Sequence, residues 1–263
     1  MTLTGCSNPE CYAQALCDCH GPVNREHVVS ASLLQAIWPD EPGGLVRGYT
    51  FLRRGGQNNP APLGIKSLTA YILCKRHNEL LSPFDTEMTK FFKATEQLML
   101  DCNTGERTNQ CDSLNGDHLE RWMLKTLSNG LFSGNFPVPF TESFAKHLPP
   151  VEYLNILYRN APFSPGCGLY VAHDQAQIHE HVFCHEVVGA PNGIVGLRMW
   201  VFGSLYTLVL SDEHGPFPEL ANATYRPSGF FTPMTGNSIL LHWAGAHSDT
   251  MLQLDYSVKP SDS

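Results

Sequence analysis

The 263-residue chain is long enough for a sizeable core, and its composition (42% hydrophobic, 10% aromatic, 16% charged, no low-complexity tract) excludes wholesale disorder. No apolar stretch approaches the roughly 20 residues of a membrane span, and the opening MTLTGCSNPEC lacks the basic start and apolar core of a secretory signal, so the expectation is a cytoplasmic protein with no membrane partner. Of the net charge of −8, residues 1–110 carry 10 Lys/Arg against 11 Asp/Glu and residues 111–263 carry 7 against 14, which excludes the back half as a phosphate-binding surface and leaves Arg25, Arg47, Arg53, Arg54, Lys66, Lys75 and Arg76 as candidate contacts to DNA.

In chain order, a loop-rich N-terminus leads into the strand-like VNREHVVS and a short helix over 31–38. Residues 39–62 are dense in Gly, Pro and Asn and read as a long exposed connection. A strand over 67–73 ends at Cys74-Lys75-Arg76-His77-Asn78. Ser82-Pro83 then carries the signature of a helix start, with Ser82 as N-cap, Pro83 in the first turn and Phe84, Met88, Phe91, Phe92 and Leu98 as the buried stripe. Further helices are expected over 117–131 and after Pro149-Pro150. From Gly166 onward the texture changes to GLYVAH, HVFCHEVVG, IVGLRMWVFG, SLYTLVLS, NSILLHWAG and MLQLDYSV, short segments between turn formers that predict a largely antiparallel sheet or sandwich of about six strands. The expected class is α+β: a front domain over 1–110, a helical connection over 111–160 and a mainly antiparallel β domain over 161–263.

Nine cysteines without an export signal point to metal ligation or burial rather than to disulfides, and seven of them precede residue 112. A close Cys/His pair that meets a second pair from elsewhere in the chain makes a closed, tetrahedral and therefore structural zinc site. Cys74 and His77 form one such pair. Cys17 with Cys19, or Cys6 with Cys11, would be the other.

The stretches ALCDCHGPVNREHVVSASLL and LTAYILCKRHNELLSPFDTEMTKFF together resemble the HNH endonuclease family, in members whose pattern is a Cys pair, a Glu-His dipeptide and a Leu-Cys-x-x-Cys-Asn junction. The resemblance covers roughly residues 6–100 and implies a zinc-stabilised ββα-metal unit, in which two strands and a helix hold one catalytic Mg²⁺ or Mn²⁺ that acts on DNA. It makes His27 the general base that takes a proton from the attacking water, a task suited to imidazole. Glu26 and Asn78 become catalytic residues that ligate the ion, and Asp85, seven residues beyond Asn78, a further ligand. The structural zinc is then held by Cys74, His77 and the pair Cys17 and Cys19, which precede Glu26-His27 as the family pair does, with Cys6 and Cys11 as the alternative. His77 replaces the family's second junction Cys, and Thr69 stands where the family has a bracing Asn, unless Asn58 or Asn59 takes that part.

Two function classes follow. One is a metal-dependent HNH-type endonuclease hydrolysing DNA phosphodiester bonds, in phage defence by family analogy, whose β-rich domain recognises a substrate, a protein partner or a signal. The other is a non-catalytic zinc-binding module for nucleic acid or protein, in which Glu26 and His27 are structural. The group His173, His179, His181, Cys184 and His185 reads as a histidine-rich sheet surface rather than a second metal site. No Gly-rich phosphate loop, nucleophile elbow or dinucleotide fingerprint occurs, which removes NTPases, α/β-hydrolases and nicotinamide enzymes.

Overall fold

In the computed structural model, the described residues are 8–39, 45–46, 63–64, 68–136, 148–173, 183–190, 193–211 and 217–256. Strand β1 (Val23–His27) is followed by a short helix α1 (Ala31–Ile37), the small hairpin of β2 (Leu45–Val46) and β3 (Leu63–Gly64), and then β4 (Thr69–Cys74). β1 and β4 pair antiparallel, with Val23 opposite Cys74 and His27 opposite Thr69. β4 then runs directly into helix α2 (Lys75–Thr104), so the front of the chain contains the expected succession of two paired strands and a helix.

α2 corrects one expectation. It does not begin at Ser82 but extends over 30 residues with Pro83 inside it. Proline removes the N–H that would serve the Glu79 carbonyl, an interruption that helices survive only when packing compensates. Here Leu81 and Phe84, on either side of the exposed proline, are both buried, and the same face continues through Met88, Phe91, Phe92 and Leu98. Tertiary burial thus overrides the local stop signal.

β5 (Cys111–Asn115) leads into α3 (Gly116–Ser133), whose N-terminus is capped by the Asn115 side chain accepting from the His118 N–H at 3.1 Å. α3 is buried on almost every side, which marks it as the central helix. α4 (Val151–Arg159) follows. The remaining strands are β6 (Gly168–His173), β7 (Phe183–Ala190), β8 (Gly193–Val201), β9 (Ser204–Val209), β10 (Thr224–Tyr225), β11 (Gly229–Phe231), β12 (Ser238–His242) and β13 (Met251–Gln253). One antiparallel sheet has the order β10-β6-β9-β8-β7. A second, β13-β11-β12-β5, is mixed: β11 and β12 are antiparallel, whereas β13 joins β11 and β5 joins β12 in parallel.

The class is α+β. The segment 111–160, expected as a helical connection, also contributes β5 to a sheet built otherwise from residues beyond 228. Most buried apolar side chains from Cys11 to Tyr256 form one contiguous cluster, with no gap near residue 110 or 160, and Val188, Val195, Val209 and Phe217 form a second, smaller one. Among the described residues no helix is long and apolar enough to cross a membrane.

Candidate metal centre

The N-terminal segment is fastened to the start of α2 by backbone hydrogen bonds: Tyr12 N–H to the Ile72 carbonyl at 3.0 Å, Lys75 N–H to Pro22 at 2.9 Å and Arg76 N–H to His20 at 3.2 Å. Gly21 turns with φ +76, and a Cβ there would come within 2.9 Å of the Lys75 Cβ, so this close approach requires glycine. Cys74 stands at the N-cap of α2, and His77, three residues on, shares its face.

These fastenings bring together Cys11, Cys19, Cys74 and His77, whose donor atoms all lie within 4.8 Å of one another. His77 Nδ1 is 3.2 Å from Cys74 Sγ, 3.4 Å from Cys11 Sγ and 3.8 Å from Cys19 Sγ. A zinc ion with Zn–S of about 2.3 Å and Zn–N of about 2.0 Å at tetrahedral angles requires N···S edges near 3.5 Å, which these distances straddle. The cluster could therefore hold a metal ion such as zinc. Four protein donors leave no open position, so the site is structural in kind.

Protonation follows the same geometry. Burial pushes the Cys11 and Cys19 thiols above their ordinary range, and at Cys19 the neighbouring sulfurs of Cys11 and Cys74 add to the effect. His77 is held below the usual histidine range by burial, against the opposing pull of Asp18. Its Nε2 lies 2.9 Å from Asp18 Oδ1, which places the proton on Nε2 and leaves Nδ1 free toward the sulfurs. Burial works against the Asp18 carboxylate, but hydrogen bonds from His77 and Arg76 outweigh it and hold its pKa low.

The expected first pair is corrected to one member of each candidate pair. Cys17 is disulfide-bonded and has no thiolate to offer; it ends a short 3-10 turn in the left-handed conformation with φ 57. Cys6 lies outside the described residues, as do Asn58, Asn59, Arg47, Arg53, Arg54, Lys66, His179 and His181. Asp18, the residue between the two cysteines of CDC, was not singled out by the sequence reading, although its position there is a signal for a ligand-orienting carboxylate.

About two turns along α2 lies a second constellation. Glu26, on the inner face of β1, is 5% exposed and meets the ammonium of Lys125, from α3, at 2.7 Å. Lys125 Nζ also lies 2.6 Å from both carboxylate oxygens of Asp85. Ser30 Oγ donates to Asp85 Oδ1 and accepts from Trp122 Nε1 at 2.6 Å. Asn129, also on α3, donates to Glu26 Oε1 at 3.3 Å and to the His27 carbonyl at 3.1 Å, and accepts from the Tyr12 hydroxyl at 2.9 Å. The Tyr158 hydroxyl donates in turn to Tyr12 at 3.2 Å, and its ring sits edge-on to His77 at 4.8 Å, which links this network to the thiol cluster.

Burial raises the Glu26 carboxyl despite Lys125, while at Lys125 burial is outweighed by Glu26 and Asp85, which raise the ammonium's pKa. His27 is half-buried, and burial, reinforced by the Lys125 charge, lowers its pKa, so its imidazole is neutral at pH 7. Asn78 donates from Nδ2 to the Arg25 carbonyl at 3.3 Å, which leaves its Oδ1 as an acceptor. Sequence reasoning did not find Lys125, Asn129, Trp122 or Ser30. A lysine within RWMLKTL, flanked by apolar residues on a helix with almost no exposed face, is the signal that was available.

In the back half, His173 Nδ1 lies 2.9 Å from Ser204 Oγ, and burial brings His185, packed on the Phe136 ring at 4.7 Å, down to about 4. Among the described residues no second group of Cys, His, Asp and Glu donors converges as the first does. No family model, no curated protein and no solved structure matches this chain.

Proposed function

We propose that the front half is a zinc-stabilised ββα nuclease unit of the HNH type, which hydrolyses DNA phosphodiester bonds with His27 as general base. One observation carries this reading: β1 pairs with β4, β4 passes directly into α2, and Glu26 of β1 and Asp85 of α2 meet on the same Lys125 ammonium. The neutral, half-buried imidazole of His27 is in the protonation state a base requires. Glu26 and Asp85, from different elements, already converge on one cation, the Lys125 ammonium, and carboxylate oxygens are the hard donors that Mg²⁺ or Mn²⁺ prefers. Such an ion would supply charge neutralisation at the scissile phosphate.

The test is plasmid nicking with Mg²⁺ or Mn²⁺. His27→Ala should lose roughly 100-fold or more of the rate while zinc content and DNA binding persist. Cutting by His27→Ala at the wild-type rate would remove the nuclease assignment. The second reading, a non-catalytic zinc-binding module for nucleic acid or protein, is favoured by the burial of Glu26 against Lys125, which gives the carboxylate a structural partner. Wild-type protein that binds DNA without nicking it under any of these conditions selects that reading.

A further inference from the structure

We propose that Lys125 is a resident cation that occupies the divalent position of the ββα unit, so that a metal ion enters only by displacing its ammonium. The inference rests on the reading of Glu26 and Asp85 as the ion's ligands, and does not depend on hydrolysis.

An ammonium has three donors and no acceptor. At Lys125 the three nearest carboxylate oxygens are Glu26 Oε1, Asp85 Oδ1 and Asp85 Oδ2, at 2.7, 2.6 and 2.6 Å. Lys125 itself is fully buried, so solvent does not reach its ammonium, although the Asp85 side chain is 26% exposed. A divalent ion bound to the same oxygens would stand against the ammonium with no water between them, and two cations in that arrangement exclude one another. Each carboxylate is also held by a neutral neighbour: Asn129 donates to Glu26, and Ser30 donates to Asp85 while accepting from Trp122. The surroundings therefore hold the two carboxylates in place whether the cation between them is an ammonium or a metal ion. Lys125 comes from α3, outside the two strands and helix that carry the ligands, so the competing cation is supplied by the next element of the chain.

The experiment measures Mn²⁺ binding to the zinc-loaded full chain, by the spectroscopic signal of free Mn²⁺ and by the shift in melting temperature on adding it. Lys125→Met should bind Mn²⁺ roughly tenfold or more tighter than wild type, in the range that changes next to ligands produce. Its melting temperature should fall without Mn²⁺ and recover with it, because the ion then neutralises two carboxylates left unpaired. Adding Glu26→Gln in that background should abolish the gain. Lys125→Gln, which can still donate to one carboxylate, is the second variant.

Equal Mn²⁺ affinity in wild type and a folded Lys125 variant would overturn the proposal. So would failure of both variants to fold even in Mn²⁺, since the ion then cannot replace the ammonium. Folding only in Mn²⁺ would support it. Tighter Mn²⁺ binding without DNA nicking would retain this proposal and remove the nuclease reading, whereas wild-type nicking together with unchanged Mn²⁺ affinity would do the reverse.

Discussion

Single side chains decide what the front of this protein can bind. His77 could donate to a zinc ion only through the nitrogen that Asp18 leaves deprotonated, so the carboxylate sets the tautomer as well as the orientation of the ring. Asp18→Asn should weaken zinc by roughly 10- to 100-fold in chelator competition, with the fold retained. The pH dependence has a definite sign. Burial keeps Cys11 and Cys19 protonated in the metal-free cluster, so zinc must expel their protons, whereas His77, with its pKa lowered, has already lost its own near pH 7. Affinity should rise with pH through and above neutrality, by about tenfold per unit for each proton released, and fall in acid. Chelator competition giving the same zinc affinity at pH 6 and pH 8 would contradict this protonation scheme. Cys74 and His77 were legible from their spacing, and Cys19 from its place ahead of Glu26-His27, where the HNH resemblance puts a Cys pair. The choice between Cys11 and Cys17 was not, because it depends on the hydrogen bond that lays Tyr12 along β4 and on the left-handed turn at Cys17, neither of which spacing encodes.

At the scale of elements, periodicity served where burial is one-sided and failed where it is not. The stripe Phe84, Met88, Phe91, Phe92 and Leu98 was readable because α2 shows one face to the core, and β6, β7, β8 and β9 were readable as apolar runs between turns. β5, CDSLN, was not: only Leu114 is buried, and the strand exists because β12 offers it a parallel partner from far along the chain. The Ser82-Pro83 signal was misleading for a related reason, since a local stop was set against burial on both sides of it. If α2 is continuous through Pro83, Pro83→Ala restores an N–H for the Glu79 carbonyl on an exposed face and should stabilise the protein by about 1–2 kcal/mol, the helix-interior penalty of proline less the entropy it removes from the unfolded chain. Urea titration showing no change in midpoint would instead mark Pro83 as the first turn of a helix.

The whole molecule is organised around α3, which is why the interruptions in composition near residues 110 and 160 do not become interruptions in the core. Trp122, Lys125 and Asn129 reach the strands and helix of the front half, while Glu120 of the same helix faces the back. Glu120 Oε1 accepts from the Leu169 N–H at 2.6 Å and from Arg226 Nε at 3.0 Å, and Oε2 lies 2.8 Å from Arg226 Nη2. Arg226 is buried among Tyr225, Trp243 and Phe163, so it has no recourse to solvent if Glu120 is removed. Glu120→Ala should therefore cost about 3–5 kcal/mol, the range for breaking a buried, hydrogen-bonded ion pair on one side. Because α3 serves both halves, that loss should be felt at the thiol cluster as well as in the sheets. Zinc release and loss of β-sheet signal should coincide on heating, and both should shift down together in Glu120→Ala. If the variant lost its sheet signal early while zinc release kept the wild-type midpoint, the two halves would be independent, and α3 would be a connection between domains rather than the centre of one.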